Sequence, residues 1–238
     1  MFCGFRCFAA TILLRKTIPQ FPDFGAKFQK GNFRCAKVMV ISMVIDISQE
    51  LLSCQVYPGD PKPALQRLSC MEDGALYNLS SFSMCAHNGT HIDAPAHFFA
   101  DGKTVEQMDL SSFCGRCYVV HHEGDLTGDA AEEILSAAEQ YGCKERILLA
   151  DHCIVTEDAA SVFLHGGVRL VGVDSQSVGP ENAPMAVHKL LLGAEIVLLE
   201  GLVLHHVMDG CYTLCAFPLN IAGCEGAPCR AVLMTLEE

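Results

Sequence analysis

The chain has 238 residues, half of them apolar and 18 % charged, which is enough for one large or two small globular domains and unlike a disordered chain. A net charge of −12 argues against a nucleic-acid partner. No apolar run approaches the roughly 18 residues of a membrane-spanning helix, so no membrane partner is expected.

The chain opens basic. Residues 1–37 carry seven Lys/Arg against a single acid, Asp23. That balance has the character of a targeting peptide. The segment nevertheless lacks serine, a long apolar stretch and a small-x-small cleavage site. Residues 1–38 therefore read as an extension outside the fold, with Met39 or Met43 as the natural start and 39–238 as one domain.

From Val38 the pattern turns regular. VMVISMVIDIS reads as a buried strand of β-branched residues, and YPGDPKP (57–63) as a turn. LYNLSSFSMCAH alternates into a strand that runs up to a cluster of histidines, and CYVVHH is another strand. DAAEEILSAAEQY (129–141) is an amphipathic helix with acids in its first turn and Gly142 at its end. RILLAD is a short buried strand. TEDAASVFLHGG is a second helix, capped by Thr156 and stopped at Gly166-Gly167. VRLVGVD is a strand, NAPMAVHKLLLGA a helix and EIVLLEG a strand. CYTLCAFPLNIAG and CRAVLM supply two more strands. The expected architecture is a single α/β domain with a mixed sheet and flanking helices.

Fourteen cysteines are scattered without a tight framework, in a chain too large to need staples. Cys211, Cys215 and Cys229 lie in apolar contexts, where cysteine acts as a small hydrophobe. A reducing cytoplasm is the expected setting. Cys114-Gly-Arg-Cys117 is a lone CxxC leading into a strand, a weak signal for metal or redox chemistry.

The stretch HNGTHIDAPAHF concentrates His87, His91, Asp93 and His97 within eleven residues. Gly89, Thr90 and Pro95 oppose a helix there. In an extended chain, odd-numbered positions share a side, so His87, His91 and Asp93 would converge. Pro95 bends the path, and His97 could return to the same pocket. Imidazoles and a carboxylate gathered in this way form a natural site for a divalent cation such as zinc or manganese. Glu200 ends an apolar strand, and His188 sits in an apolar helix, positions where a polar group needs a reason. Asp174, at the end of VGVD, reads as a residue that caps a loop or supports a ligand. The pairs His121-His122 and His205-His206 read as surface residues.

The pattern H-x-G-T-H-x-D-x-P-x-H resembles the signature of the metal-dependent cyclase-like hydrolases, which include bacterial kynurenine formamidase and isatin hydrolase. It is matched at His87, Gly89, Thr90, His91, Asp93, Pro95 and His97. VIDIS, YPGDP, GVDSQSVGP, HKLLLGAEIVLLEGL and PLNIAGCEGAPCRAVL follow in the family's order, so the resemblance covers roughly residues 43–236. It implies a swivelling β/β/α fold and one or two zinc ions, with manganese as the alternative. The ligands it implies are His87, His91, Asp93, His188 and Glu200, with Asp93 bridging and His97 as the proton donor and acceptor. It also implies a homodimer or higher oligomer and a small-molecule substrate.

The implied reaction is hydrolysis of an amide, with N-formylkynurenine as the leading substrate. A cyclic amide or lactone hydrolase and a non-catalytic metal-binding protein are the other readings. The presence of His97 argues against the last. No G-x-S-x-G elbow supplies a serine nucleophile. The sequence departs from the family in two places. Tyr57 stands where kynurenine formamidases carry a tryptophan that contacts substrate; it keeps an aromatic face. The segment RILLADHCIVTEDAA is shorter than in relatives, and the chain has no Trp. The short link implies a more open site, a different substrate or a site completed by a neighbouring subunit, and it brings His152 within possible reach of the pocket.

Overall fold

The computed structural model describes residues 40–180 and 182–237. The expected extension at 1–38 lies outside the described residues. Thirteen strands and three α-helices follow in chain order: β1 (Val40–Asp46), β2 (Ala64–Ser69), β3 (Leu79–Ser83), β4 (His91–Asp93), β5 (Cys114–His121), β6 (Gly124–Leu126), α1 (Gly128–Gln140), β7 (Arg146–Ala150), β8 (Cys153–Val155), α2 (Glu157–Gly166), β9 (Leu170–Val173), α3 (Pro184–Gly193), β10 (Val197–Glu200), β11 (Gly210–Cys215), β12 (Gly226–Pro228) and β13 (Val232–Glu237).

Nine strands form one mixed sheet in the order β1-β13-β11-β5-β7-β9-β10-β4-β12. Its centre, β5-β7-β9-β10, is parallel, and the strands on both sides add antiparallel. Parallel strands need crossovers, and the three helices provide them. Thr127 and Thr156 accept from the backbone N–H of Ala130 and Ala159 at the starts of α1 and α2. Gly167, at φ 78°, ends α2 in the left-handed conformation expected of a C-terminal glycine.

The central strands are buried on both faces, which explains their near-continuous apolar sequences. Ile147 and Leu149 of β7, Val171 and Val173 of β9, and Leu198 of β10 pack with the helices. Leu148, Leu170, Val197 and Leu199 point the other way, into a second core to which none of α1, α2 and α3 contributes. There they meet Ile92 of β4, Ala227 of β12 and Leu233 of β13, so the sheet curls around its own side chains. This is the mixed α/β architecture that the sequence predicts.

Three details differ from the sequence reading. LYNLSSFSMCAH does not run to the histidines: β3 stops at Ser83, and a turn from Cys85 to Asn88 intervenes. CYTLCAFPLNIAG is a strand only as far as Cys215, shortly before Pro218, which lacks a ladder donor. Cys211 is not a free hydrophobe but is disulfide-bonded to Cys143, with their Cα atoms 6.3 Å apart. Cys114 and Cys117 differ in parity along β5 and face opposite sides: Cys117 is buried, whereas Cys114 Sγ lies 3.1 Å from Cys215 Sγ. The CxxC therefore does not act as a pair.

Candidate metal centre

The site lies beyond the carboxyl ends of β9 and β10, where α/β sheets commonly bind ligands. β4 runs antiparallel to β10 with His91 opposite Glu200. Strand alternation then sorts the side chains. Ile92 and Leu199 enter the curled core, so His91, Asp93 and Glu200 share the other face. α3 lays His188 over that face, with Nε2 at 3.2 Å from Glu200 Oε1 and 3.8 Å from Asp93 Oδ2.

His87 and His97 arrive by turns. Gly89, at φ 63°, redirects the chain between His87 and β4. The Thr90 hydroxyl locks the path by donating to the Gly201 carbonyl at 2.6 Å and accepting from the Gln49 N–H at 2.9 Å. Gly226, opening β12, leaves room for the His87 ring: a Cβ there would lie 2.8 Å from His87 Cε1. Downstream, a 3-10 turn at Pro95–His97 brings the His97 ring back, its centroid 4.2 Å from that of His87 and 6.3 Å from that of His188. The segment is thus turn, strand, turn; parity alone accounts for His91 and Asp93, while chain reversals deliver the two flanking histidines.

The donor atoms of His87, Asp93 and His97 all lie within 4.8 Å of one another, as do those of His91, Asp93 and Glu200. Asp93 belongs to both groups. His91 Nδ1 sits 2.9 Å from the Gly89 carbonyl, which takes its proton and leaves Nε2 facing the carboxylates. His87 Nδ1 is 2.8 Å from Asp93 Oδ1. Two polar atoms at the centre, Asp93 Oδ2 and His87 Nε2, are buried without a hydrogen bond. Burying such atoms without a hydrogen bond is costly, and the remedy their chemistry invites is a cation. Imidazole and carboxylate donors of this kind fit a divalent ion.

Electrostatics agree. Burial disfavours charge on every group here, but the cluster overrides it. The Asp93 and Glu200 carboxylates raise His91 to about 10 despite complete burial. Asp93 is held well below the usual carboxylate range by His87 and His91, against the effect of its burial. Glu200 is likewise lowered by His188 and His91, although burial and the nearby Asp93 oppose this. His97 behaves differently: burial pushes it below the ordinary histidine value, which keeps it neutral near pH 7.

A cavity of about 280 Å³ opens above the cluster. Tyr57 lines it from the Tyr57–Asp60 turn, alongside His87, His91, His97, His188 and Glu200, with Asp93 buried at the centre of the donor cluster. Asp60, Cys85, Phe98, Gln176 and Ser177 also face it, and Glu225 Oε1 lies 3.4 Å from His87 Nε2. Sequence reasoning assigned no role to these residues. Asp60, Gln176, Ser177 and Glu225 do lie inside the YPGDP, GVDSQSVGP and PLNIAGCEGAPCRAVL motifs, the signal that could have found them. Asp174 caps a loop, accepting the backbone N–H groups of Asp151 and His152 at 3.0 Å. His121 pairs with Asp209 at 2.5 Å, His122 approaches the Asp125 carbonyl, and His205 and His206 meet edge to face; none of the four lines the cavity.

Comparison with known proteins gives the same class. The family model described as "Putative cyclase" matches residues 41–180. The chain is 33 % identical over 207 residues to the kynurenine formamidase of Erythrobacter litoralis (strain HTCC2594), covering 81 % of this chain and 94 % of that one. A solved structure described as a potential metal-dependent hydrolase with cyclase activity superposes with a TM-score of 0.67 at 27 % identity, over 82 % of this chain and 99 % of that one. Isatin hydrolase A from Labrenzia aggregata, bound to benzyl benzoate, shares the fold with a TM-score of 0.68 at 21 % identity, over 82 % and 94 % of the two chains. The chain belongs to the cyclase family of metal-dependent hydrolases. It is a hydrolase, an enzyme that acts on a small-molecule substrate.

Proposed function

We propose that the enzyme is an arylformamidase that hydrolyses N-formylkynurenine to kynurenine and formate. The observation that carries this reading is the likeness to a kynurenine formamidase across 94 % of that protein's length. His87, His91, Asp93, His188 and Glu200 would hold one or two zinc ions, with manganese as the alternative, and the doubly grouped Asp93 favours two. A divalent ion there supplies water activation near neutral pH and polarises a carbonyl.

The chain's own groups do the rest. Hydrolysis adds the water oxygen to the formyl carbon, breaks the C–N bond and moves a proton to the departing aniline nitrogen. His97 carries that proton: it lies beside His87 and is neutral near pH 7, so it accepts first and donates afterwards. Tyr57 offers its ring to the aromatic substrate. A cyclic-amide hydrolase is the weaker alternative, since the isatin hydrolase likeness concerns fold alone.

We place the enzyme in the cytoplasm: nine of the described cysteines are free thiols, which favours a reducing setting, while the Cys143–Cys211 disulfide opposes it. Among the described residues no helix is long and apolar enough to cross a membrane. We further propose a homodimer. The β2–β3 hairpin exposes the cross-strand pair Leu65 and Phe82, and elsewhere Leu68, Leu76, Tyr77 and Leu79, apolar side chains that a second copy could cover. Residues 1–38 are read as lying outside this catalytic unit.

The test is N-formylkynurenine hydrolysis by protein loaded separately with zinc and with manganese, beside His97→Ala. Turnover that requires metal, together with a variant that keeps its metal but loses activity, supports both assignments. Loss of one equivalent of metal in His97→Ala would make His97 a ligand instead. Metal without turnover would reject this substrate.

A further inference from the structure

A second cavity, of about 560 Å³, adjoins the metal cavity and shares Tyr57, Gln176 and Ser177 with it. Gln176 stands at the junction. Both of its amide atoms are buried and neither has a hydrogen bond. The amide packs over Gly201, where a Cβ would lie 2.5 Å from Gln176 Nε2. A buried amide without a hydrogen bond is a donor and an acceptor without a protein partner, a cost that a bound ligand would relieve.

His152 lines the same second cavity, and its placement is deliberate in energetic terms. Asp151 and His152 both adopt positive φ, at 66° and 56°, on the turn between β7 and β8. The left-handed region is disfavoured for two consecutive non-glycine residues. Asp174 offsets this by accepting both backbone N–H groups. The His152 ring itself makes no hydrogen bond among the described residues, so its nitrogens remain available to a ligand.

Charge separates the two cavities. Asp60 and Glu200 line the metal cavity, whereas no carboxylate lines the second, in a chain of net charge −12. An anionic group entering the second cavity therefore meets no opposing carboxylate.

We propose that the second cavity is a subsite for the substituent carried by the substrate's leaving group, with His152 and Gln176 as the residues that determine specificity. Its ligand class is an aryl formamide whose ring bears a side chain ending in a carboxylate, as distinct from compact cyclic amides that need only the metal cavity. This rests on the formamidase reading and adds to it which part of the molecule is recognised, and by what.

The test uses two substrates with the same scissile bond: N-formylkynurenine, and 2-formamidoacetophenone, which lacks the amino-acid tail. The metal-loaded full chain is compared with His152→Asn, which tolerates the left-handed backbone, and with Gln176→Met, which keeps size without hydrogen bonding. The ratio of kcat/KM for the tailed over the tail-less substrate is expected to fall about tenfold in each variant. Calorimetry with kynurenine and 2-aminoacetophenone reads the same discrimination without turnover, and the same loss is expected there. Wild-type enzyme that treats the members of each pair alike, or variants that leave both ratios unchanged, would overturn the subsite. Tail-dependent binding without hydrolysis of either formamide would keep the subsite and reject the formamidase reading.

Discussion

The floor of the site and its outer wall are built on different principles. The floor centres on strand residues: His91, Asp93 and Glu200 project from β4 and β10, each at most 3 % exposed and held by cross-strand neighbours, while turns bring in His87 and His97 and α3 brings in His188. The wall consists of turns: Tyr57 before Gly59, the Asp151-His152 pair, and Ser175 to Ser177 after β9. Strands fix positions to a fraction of an ångström, while turns accept substitution and change of length. The difference teaches where chemistry and selectivity reside. In the proposed reaction, bond cleavage belongs to the donor cluster and His97, and the choice of molecule belongs to the wall.

That division can be broken from either side. The largest effect is expected for Asp93→Ala, which removes the one carboxylate shared by both donor groups. Metal content should drop and kcat/KM should fall about a thousandfold or more, an effect of several kcal/mol, read by metal analysis and steady-state kinetics. Smaller, and still confined to the floor, is Gly226→Ala. Its Cβ would press on the His87 ring and on the Ile92 carbonyl, at 2.8 and 2.9 Å. About 1–3 kcal/mol of stability should be lost, with weaker metal binding for every substrate alike, measurable as a lower melting temperature and in a zinc titration.

Smallest is Asp174→Ala, which acts on the wall. It frees the Asp151-His152 turn at a cost of about 1 kcal/mol. Metal affinity should hold while the preference for a tailed substrate weakens. If Asp174→Ala instead released metal, floor and wall would not be separable, and that would be seen in the same zinc titration.

Much of this was legible in the sequence, for identifiable reasons. Helix limits were clear because Thr156 and Gly167 act within a turn of where they stand. The central strands were clear because burial on two faces leaves an unbroken apolar signature in RILLA and VLLE. The proposed metal donors were read from a dense local motif and its family resemblance. β4 was not found, because three residues carry no period; it is a strand by virtue of its partners β10 and β12. The Cys143–Cys211 bond, which links positions 68 apart, left no local trace either. Gln176 was not singled out, since its proposed role comes from what it fails to bond and from a cavity that exists only once the chain is folded, whereas the short link already pointed to His152.

The position of β4 also bears on how the enzyme is made. His87, His91 and Asp93 leave the ribosome early, yet both strands that clamp β4 are synthesised later, ending at Pro228. A nascent chain therefore carries three of the five proposed ligands before the strands that clamp them exist. Because β4 is too short to stand alone, those residues are expected to capture ions poorly until synthesis is nearly complete. Metal loading is then expected at the last steps of folding, and a chain truncated before β12 should emerge empty rather than partly active.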